Sequence, residues 1–279
     1  MATLVLQGPR LTEHEAIALS ESFKGRLQEG KGYYRIQTDG DIDAAKLAMH
    51  KQQEEFDINL LPEGFDPTQA KLLVTDMDST LISIECIDEI ADFINVKPQV
   101  SEITESAMRG EIDFETSLRR RIALLTGLEE SVLEQVYSQR LQLNPGAEQM
   151  LAGLKSSGIK TALVSGGFTY FSDKLKTRLG LDYTLANTLE FENGKLTGEI
   201  HGNIVGAQAK ADLLLQKCEA LNIKPSQVIA MGDGANDLVM MKQAGLSIAY
   251  HAKPAVQQQA HTSLNHCGLE GVLGLLNIG

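Results

Sequence analysis

Asp76-Met77-Asp78-Ser79-Thr80 sets two carboxylates two residues apart, at the end of the short apolar run Leu72-Leu73-Val74-Thr75. In an extended strand, side chains at i and i+2 point to the same side. Two carboxylates this close repel, which raises one pKa or recruits a cation. Either outcome suits attack on phosphorus. An ionised Asp76 needs to lose no proton before attacking, and a partly protonated neighbour can donate one to a leaving oxygen. The bland alternative is a strand-to-loop turn that uses Asp for turn chemistry.

Three further clusters have similar chemistry. Gly232-Asp233-Gly234-Ala235-Asn236-Asp237 follows the apolar run Val228–Met231. Its glycines allow a sharp turn and close approach to a ligand. Asp233 and Asp237 offer hard oxygen donors of the kind Mg²⁺ takes alongside phosphate and water. Capping of the next helix by Asn236 would explain only one of these residues. Ser165-Gly166-Gly167 ends another apolar run and opens a helix over 168–179, where a hydroxyl and backbone N–H groups can cradle an anion; a plain Ser cap is the alternative. Lys210 lies near the start of a helix over 207–221, at the edge of the stripe Ala207, Ala211, Leu214 and Cys218. A lone Lys is ordinarily solvated.

The elements that position these clusters follow from the pattern. From Lys71 onward, continuous apolar strands alternate with helical stretches, which predicts a parallel sheet covered on both faces. Ligands of such sheets sit beyond the carboxyl ends of the strands, so the four clusters should meet in one crevice. The fold class expected is α/β, a Rossmann-like parallel sheet with an inserted helical cap and a small N-terminal α+β domain. Residues 1–68 read as a βαβαβ unit, with strands at 3–6, 32–36 and 57–61 and helices at 13–24 and 42–56. Pro62, Gly64 and Pro67 mark a linker. Residues 69–279 form the larger domain. Between about 82 and 144 only helical periodicity is found, as in Ile87, Ile90, Ala91 and Ile94, and this insertion is placed to act as a lid. Asn193-Gly194 between Leu189–Phe191 and Leu196–Ile200 predicts a β-hairpin.

Spacing also singles out Arg121. On the stripe Phe114, Leu118, Ile122 and Leu125, Arg119 and Arg120 fall well to the side, whereas Arg121 lies within roughly 50° of its centre. A guanidinium on the apolar side of a lid needs an anionic partner. A ligand carboxylate would match it bidentately, and Glu85 is the alternative. Glu85 itself falls opposite the stripe of its helix, where it reads as a first-turn acid complementing the dipole.

Composition bounds the partners. The chain has 279 residues with 43% hydrophobic and 22% charged, an ordinary globular balance. Its formal charge of −12 opposes non-specific binding to nucleic acid or anionic membranes. No apolar run approaches the roughly 18 residues needed to span a bilayer. The first ten residues lack a secretory pattern. Cys86, Cys218 and Cys267 are scattered, with no CxxC pair, which points to a reducing cytoplasm.

In type and order the four clusters resemble the motifs of the haloacid dehalogenase-like superfamily of phosphotransferases, over about residues 70–279. The stretches Asp76–Leu81, Ile87–Ala91, Phe114–Arg119, Val164–Phe168 and Gly232–Asp237 look like the branch that hydrolyses O-phosphoserine, a step of serine biosynthesis. Residues 1–68 look at most like a shortened regulatory ACT-type module. The resemblance implies roles by position. Asp76 would be the nucleophile, and Asp78 would protonate the serine oxygen and then activate water. Mg²⁺ would be held by Asp76, Asp233 and the Asp78 backbone carbonyl. Ser165, Gly166 and Lys210 would bind the phosphoryl group. Glu85 would meet the substrate amino group and Arg121 its carboxylate. Asn236 would line the site, Asp237 would support the metal shell or Lys210, and Met108 and Phe114 would close over the substrate. A homodimer through the N-terminal domain is also expected. The motifs do not distinguish water from an alcohol such as homoserine as the phosphate acceptor, or O-phosphoserine from another small phosphomonoester. A third reading, from a different class, is a non-catalytic amino-acid-binding regulator, against which the intact Asp pair argues.

Overall fold

The computed structural model describes residues 2–279. The first sheet contains β1 (Ala2–Gln7), β2 (Arg26–Gly30), β3 (Tyr33–Thr38) and β4 (Asp57–Leu60). Two helices accompany it, α1 (Glu13–Ser22) and α2 (Ala44–Gln53). Thr12 and Glu15 cap α1 reciprocally, and Asp43 caps α2 through the N–H groups of Ala45 and Lys46. The strand order is β2-β3-β1-β4, antiparallel throughout. The unit is therefore βαββαβ rather than the expected βαβαβ. The missed strand, β2, is an edge with mostly exposed, polar residues and so lacks the alternation that marks a half-buried strand.

The second sheet starts at β5 (Leu72–Thr75). Four helices follow: α3 (Cys86–Phe93), α4 (Lys97–Met108), α5 (Phe114–Ala123) and α6 (Glu130–Gln139). The chain leaves for them at Ile82 and returns at Leu143, and these two residues form an antiparallel bridge. Next come α7 (Ala147–Ser156), β6 (Lys160–Phe168), α8 (Thr169–Leu179), β7 (Tyr183–Glu192), β8 (Lys195–His201) and α9 (Ala207–Leu221). The last part holds β9 (Val228–Gly232), α10 (Leu238–Met241), β10 (Leu246–Tyr250), α11 (Pro254–Gln257), β11 (Thr262–Leu264) and α12 (Gly271–Leu276).

Seven strands run in the order β11-β10-β9-β5-β6-β7-β8, parallel except for β8. Leu73 packs into the core on one face of β5, and Leu72 and Val74 into the core on the other. This two-sided burial is why the strand reads as a continuous apolar run. The expected hairpin exists, but β7 begins at Tyr183 and is itself a member of the main sheet. The three-residue β11 has no sequence signature. No helix among the described residues is long and apolar enough to cross a membrane.

The two sheets pack through α12 and β11. Leu4 and Leu6 face the helices of their own unit, whereas Val5 and Leu61 join the large core. Arg35, on the same face as Val5, donates from Nη1 to the Gly274 carbonyl at 2.9 Å. Asn59 exchanges two hydrogen bonds with the Ser263 backbone. Asp57 is buried and accepts from the backbone N–H groups of Asn265 at 2.8 Å, Cys267 at 3.0 Å and His266 at 3.2 Å. Such charge-assisted bonds are strong, and losing the acceptor leaves three donors unsatisfied. Asp57→Ala should therefore cost about 2–4 kcal/mol of stability in urea unfolding. Exposed Glu63→Ala should stay within about 0.5 kcal/mol. Equal midpoints for the two variants would show that the Asp57 contact does not hold the sheets together.

Candidate active site

β5 lies between β9 and β6, so the loops that follow these three strands share one crevice. Asp76 follows β5 directly and is buried. Its backbone N–H is tied to Met231 at 3.0 Å, at the end of the neighbouring strand. The chain then turns tightly, with Ser79 in the left-handed region at φ 56°. This turn carries the Asp78 side chain to the start of α3, where Oδ1 accepts the Cys86 N–H at 3.0 Å. Its Oδ2 accepts from Ser165 Oγ at 3.4 Å. A Cβ at Gly167 would sit 2.6 Å from Asp78 Oδ2, so this approach requires glycine.

Lys210 is 0% exposed. Its Nζ lies 2.8 Å from Asp76 Oδ1 and donates to Asp237 Oδ1 at 2.7 Å. The ordinary expectation of a solvated lysine fails here, because one turn into α9 the side chain points at the sheet ends. Asp237 also accepts the Gly234 N–H at 3.1 Å through Oδ2. Thr80 donates to Asp233 Oδ1 at 3.0 Å. Carboxylate oxygens of Asp76, Asp233 and Asp237 lie within 4.8 Å of one another. This set of hard oxygen donors, gathered around a buried carboxylate, fits a divalent cation. The grouping includes Asp233 and Asp237, both read from the sequence as oxygen donors although the resemblance puts Asp237 in a supporting place, while the Asp78 carboxylate accepts from Cys86 and Ser165.

A cavity of about 780 Å³ opens above the cluster. Asp76, Asp78, Ser165, Gly166, Asp233 and Asn236 line its floor. Glu85, Met108, Phe114 and Arg121 line its cap side. Lys210 and Asp237 lie behind the floor. Asn236 is not a helix cap, since α10 starts after Asp237. Ser165 is not one either: it accepts the Gly167 N–H at 2.8 Å, and Phe168 occupies the cap position of α8. The tip of α4 leaves Met108 62% exposed. The Phe114 ring reaches within 3.0 Å of where a Cβ on Gly166 would be. Ser79 donates to Glu85 Oε1 at 2.7 Å and turns it toward the cavity, which periodicity alone does not predict. Arg121 is half-buried and donates to the Ser117 carbonyl at 3.4 Å. It has no ion-pair partner among the described residues, so the alternative of a pair with Glu85 is not formed.

The environment shifts these groups as the geometry requires. Burial, and then the Asp237 charge, push Asp76 well above the usual carboxylate range, while Lys210 pulls it back down. Burial raises Asp78 and Asp233. Burial would lower Lys210, but Asp237 and Asp76 outweigh it and hold the ammonium charged. Glu85 keeps a face to solvent, yet the protein packed around its carboxyl and the nearby Asp78 charge push it up to about 7. Burial lowers Arg121. The sequence reading missed two supporting residues. Thr80 was inside a quoted motif and could have been found there. Cys86 acts through geometry that only the fold creates.

Residues 70–245 match the haloacid dehalogenase-like hydrolase family, and the chain belongs to it. Within that family its relatives include many phosphoserine phosphatases. The one from Albidiferax ferrireducens is 51% identical over 225 residues, 77% of this chain and 95% of its own length. A solved probable phosphoserine phosphatase from Vibrio cholerae superposes with a TM-score of 0.84 at 43% identity, covering 99% of this chain and 86% of that one. A phosphoserine phosphatase solved as a phospho-aspartyl intermediate analogue superposes with a TM-score of 0.70 at 40% identity, covering 74% of this chain and 98% of that one.

Carboxyls raised in the folded state bind protons more tightly than in the unfolded chain. Their stabilising effect is present at low pH and is lost as pH rises from about 4 through about 7, where Glu85 titrates. A cation competes with those protons. The rise in Tm on adding saturating Mg²⁺ should therefore grow from pH 5.5 to pH 8 and shrink strongly in Asp233→Asn. A rise independent of pH, or unchanged in that variant, would contradict the assigned cluster.

Proposed function

We infer that this chain hydrolyses O-phosphoserine to serine and phosphate. The observation that carries this reading is one cavity with two kinds of wall. Its floor holds the Asp76, Asp78 and Ser165 cluster, suited to a phosphoryl group. Its cap side holds an unpaired guanidinium, Arg121, beside a carboxylate, Glu85. An α-amino acid esterified to phosphate carries complementary groups: its carboxylate matches Arg121 bidentately and its ammonium matches Glu85. A nearby ammonium would also keep Glu85 ionised.

In the proposed mechanism Asp76 attacks phosphorus, and the bond from phosphorus to the serine oxygen breaks. Asp78, held partly protonated by burial, gives its proton to that oxygen. It then removes a proton from water, which attacks the aspartyl-phosphate and releases phosphate, restoring Asp76. Splitting one hard displacement into two easier ones lowers the barrier. Ser165 and the Gly166 backbone orient the phosphoryl oxygens. Lys210, 2.8 Å from Asp76 Oδ1, favours its anionic form and is the proposed third partner of the phosphoryl group. Mg²⁺ is the proposed cation, held by Asp76 and Asp233 with Asp237 or the Asp78 carbonyl, and when bound it would neutralise phosphoryl charge. Met108 and Phe114 are the proposed closing residues of the cap, and Asn236 its partner on the floor.

The organisation proposed with this function is a domain of residues 1–68, a catalytic domain of 69–279 and a cap at about 82–144. The Ile82–Leu143 bridge at the base of the cap supports the last boundary. Dimerisation through residues 1–68 would use the open edge of β2. Three buried free thiols favour the reducing cytoplasm.

Phosphate release from O-phosphoserine, O-phosphothreonine and a sugar phosphate, with Mg²⁺ and with EDTA, tests the reading. Preference for O-phosphoserine and loss with EDTA are expected. A dominant sugar phosphate would overturn the substrate. Asp78→Asn should slow O-phosphoserine by on the order of 10² to 10⁴-fold. The same variant should be much closer to wild type on p-nitrophenyl phosphate, whose leaving group needs no proton, and equal losses would contradict the acid role. Arg121→Ala should raise KM for O-phosphoserine by the equivalent of about 1.5–3 kcal/mol. It should scarcely affect phosphoethanolamine, which lacks the carboxylate. Arg120→Ala should be mild for both.

A further inference from the structure

The strand that carries the phosphate cradle breaks its pairing where the cradle forms. From Val164 to Phe168, β6 advances four residues while β7 advances only two, from Leu185 to Asn187. The intervening segment, Ser165 to Gly167, stands opposite the single residue Ala186 and bulges out of the ladder toward the cavity. A bulge leaves backbone groups without strand partners. One of these is the Gly166 carbonyl.

Asn187 fills that gap. It is 1% exposed and does not line the cavity. Its Nδ2 donates to the Gly166 carbonyl at 2.8 Å. Its Oδ1 accepts the Val205 N–H, also at 2.8 Å. Val205 is followed by Gly206, which precedes the first residue of α9 and accepts the Lys210 N–H at 3.1 Å. One carboxamide therefore spans two segments far apart in sequence: the bulge presenting Ser165 and Gly166, and the lead into the helix presenting Lys210. Only a side chain with a donor and an acceptor at this spacing can serve both.

We propose that Asn187 is a positioning residue, which sets the phosphate cradle against the helix of Lys210 and so fixes the shape of the phosphoryl site without touching substrate. The inference rests on the phosphohydrolase reading of that site and adds a residue to it. Its effect passes through backbone placement, where shifts well below 1 Å change the fit to a tetrahedral anion.

The test compares Asn187 with Asn59, a carboxamide that is also fully buried and doubly bonded to backbone, but at the junction of the two sheets. Binding of inorganic phosphate in the presence of Mg²⁺ is measured by calorimetry on the full chain, alongside Tm. This readout does not need turnover. Asn187→Ala and Asn59→Ala should both lower Tm. Asn187→Ala should also weaken phosphate binding by about ten-fold or more, with Asn59→Ala within about two-fold of wild type. Asn187→Ser keeps a polar group but cannot bridge both partners, and it should weaken binding as well, so the result survives if the alanine variant does not fold. Phosphate affinity unchanged in the Asn187 variants would leave Asn187 a purely structural residue and overturn the proposal alone. No phosphate binding by the wild-type protein would remove the phosphoryl site and the proposal together.

Discussion

A buried ammonium held between two carboxylates is the constraint on which the rest depends. Lys210 has no exposure, and Asp76 and Asp237 lie 2.8 and 2.7 Å from it. The three residues come from α9, the end of β5 and the loop after β9. An unpaired charge at this depth would cost several kcal/mol. The contact therefore locks helix, strand and loop to one another. It also favours the anionic form of Asp76, against the burial and the Asp237 charge that push this carboxyl up. With Asp78 and Asp233 included, four carboxylates surround one ammonium, an excess of negative charge that a divalent cation and a protonated Asp78 together relieve. The same electrostatics fit the cluster to a divalent cation and suit the proposed acid–base role of Asp78.

The parallel sheet decides where this cluster can be. β5 lies in its interior, and the neighbouring strands end at the same level, so motifs separated by more than 150 residues of chain arrive within hydrogen-bond distance. The cap enters and leaves through one short bridge and brings Glu85 and Arg121 over the floor. In the proposed mechanism chemistry and recognition are thereby divided between two parts: the sheet would supply the groups that act on phosphorus, and the insertion the charges that meet the rest of the substrate.

Much of this was legible in the sequence, for physical reasons that also explain the failures. Strands buried on both faces, such as Leu72–Thr75 and Val228–Met231, read plainly because every residue is apolar, and the polar clusters at their ends mark the site. The edge strand Arg26–Gly30 was missed because an exposed strand has no such pattern, and Thr262–Leu264 because three residues carry none. Arg121 was placed correctly toward the cavity by its helical spacing. Glu85 was not, because its direction comes from a bond to Ser79 across a tight turn. Lys210 read alone looked solvated, because nothing in its own helix shows that two carboxylates face it, and only the family resemblance put it in the site. Asn187 carried no signal at all, since its partners, Gly166 and Val205, meet only in the fold.

The central claim is that Asp76 forms a covalent bond to phosphorus. Acid quenching during turnover of O-phosphoserine, followed by hydroxylamine, converts an acyl-phosphate to a hydroxamate that peptide mass spectrometry can locate. The account predicts the modification at Asp76 alone, with none in protein treated without substrate. Steady turnover with no hydroxamate at Asp76, or with the modification on another carboxylate, would contradict it.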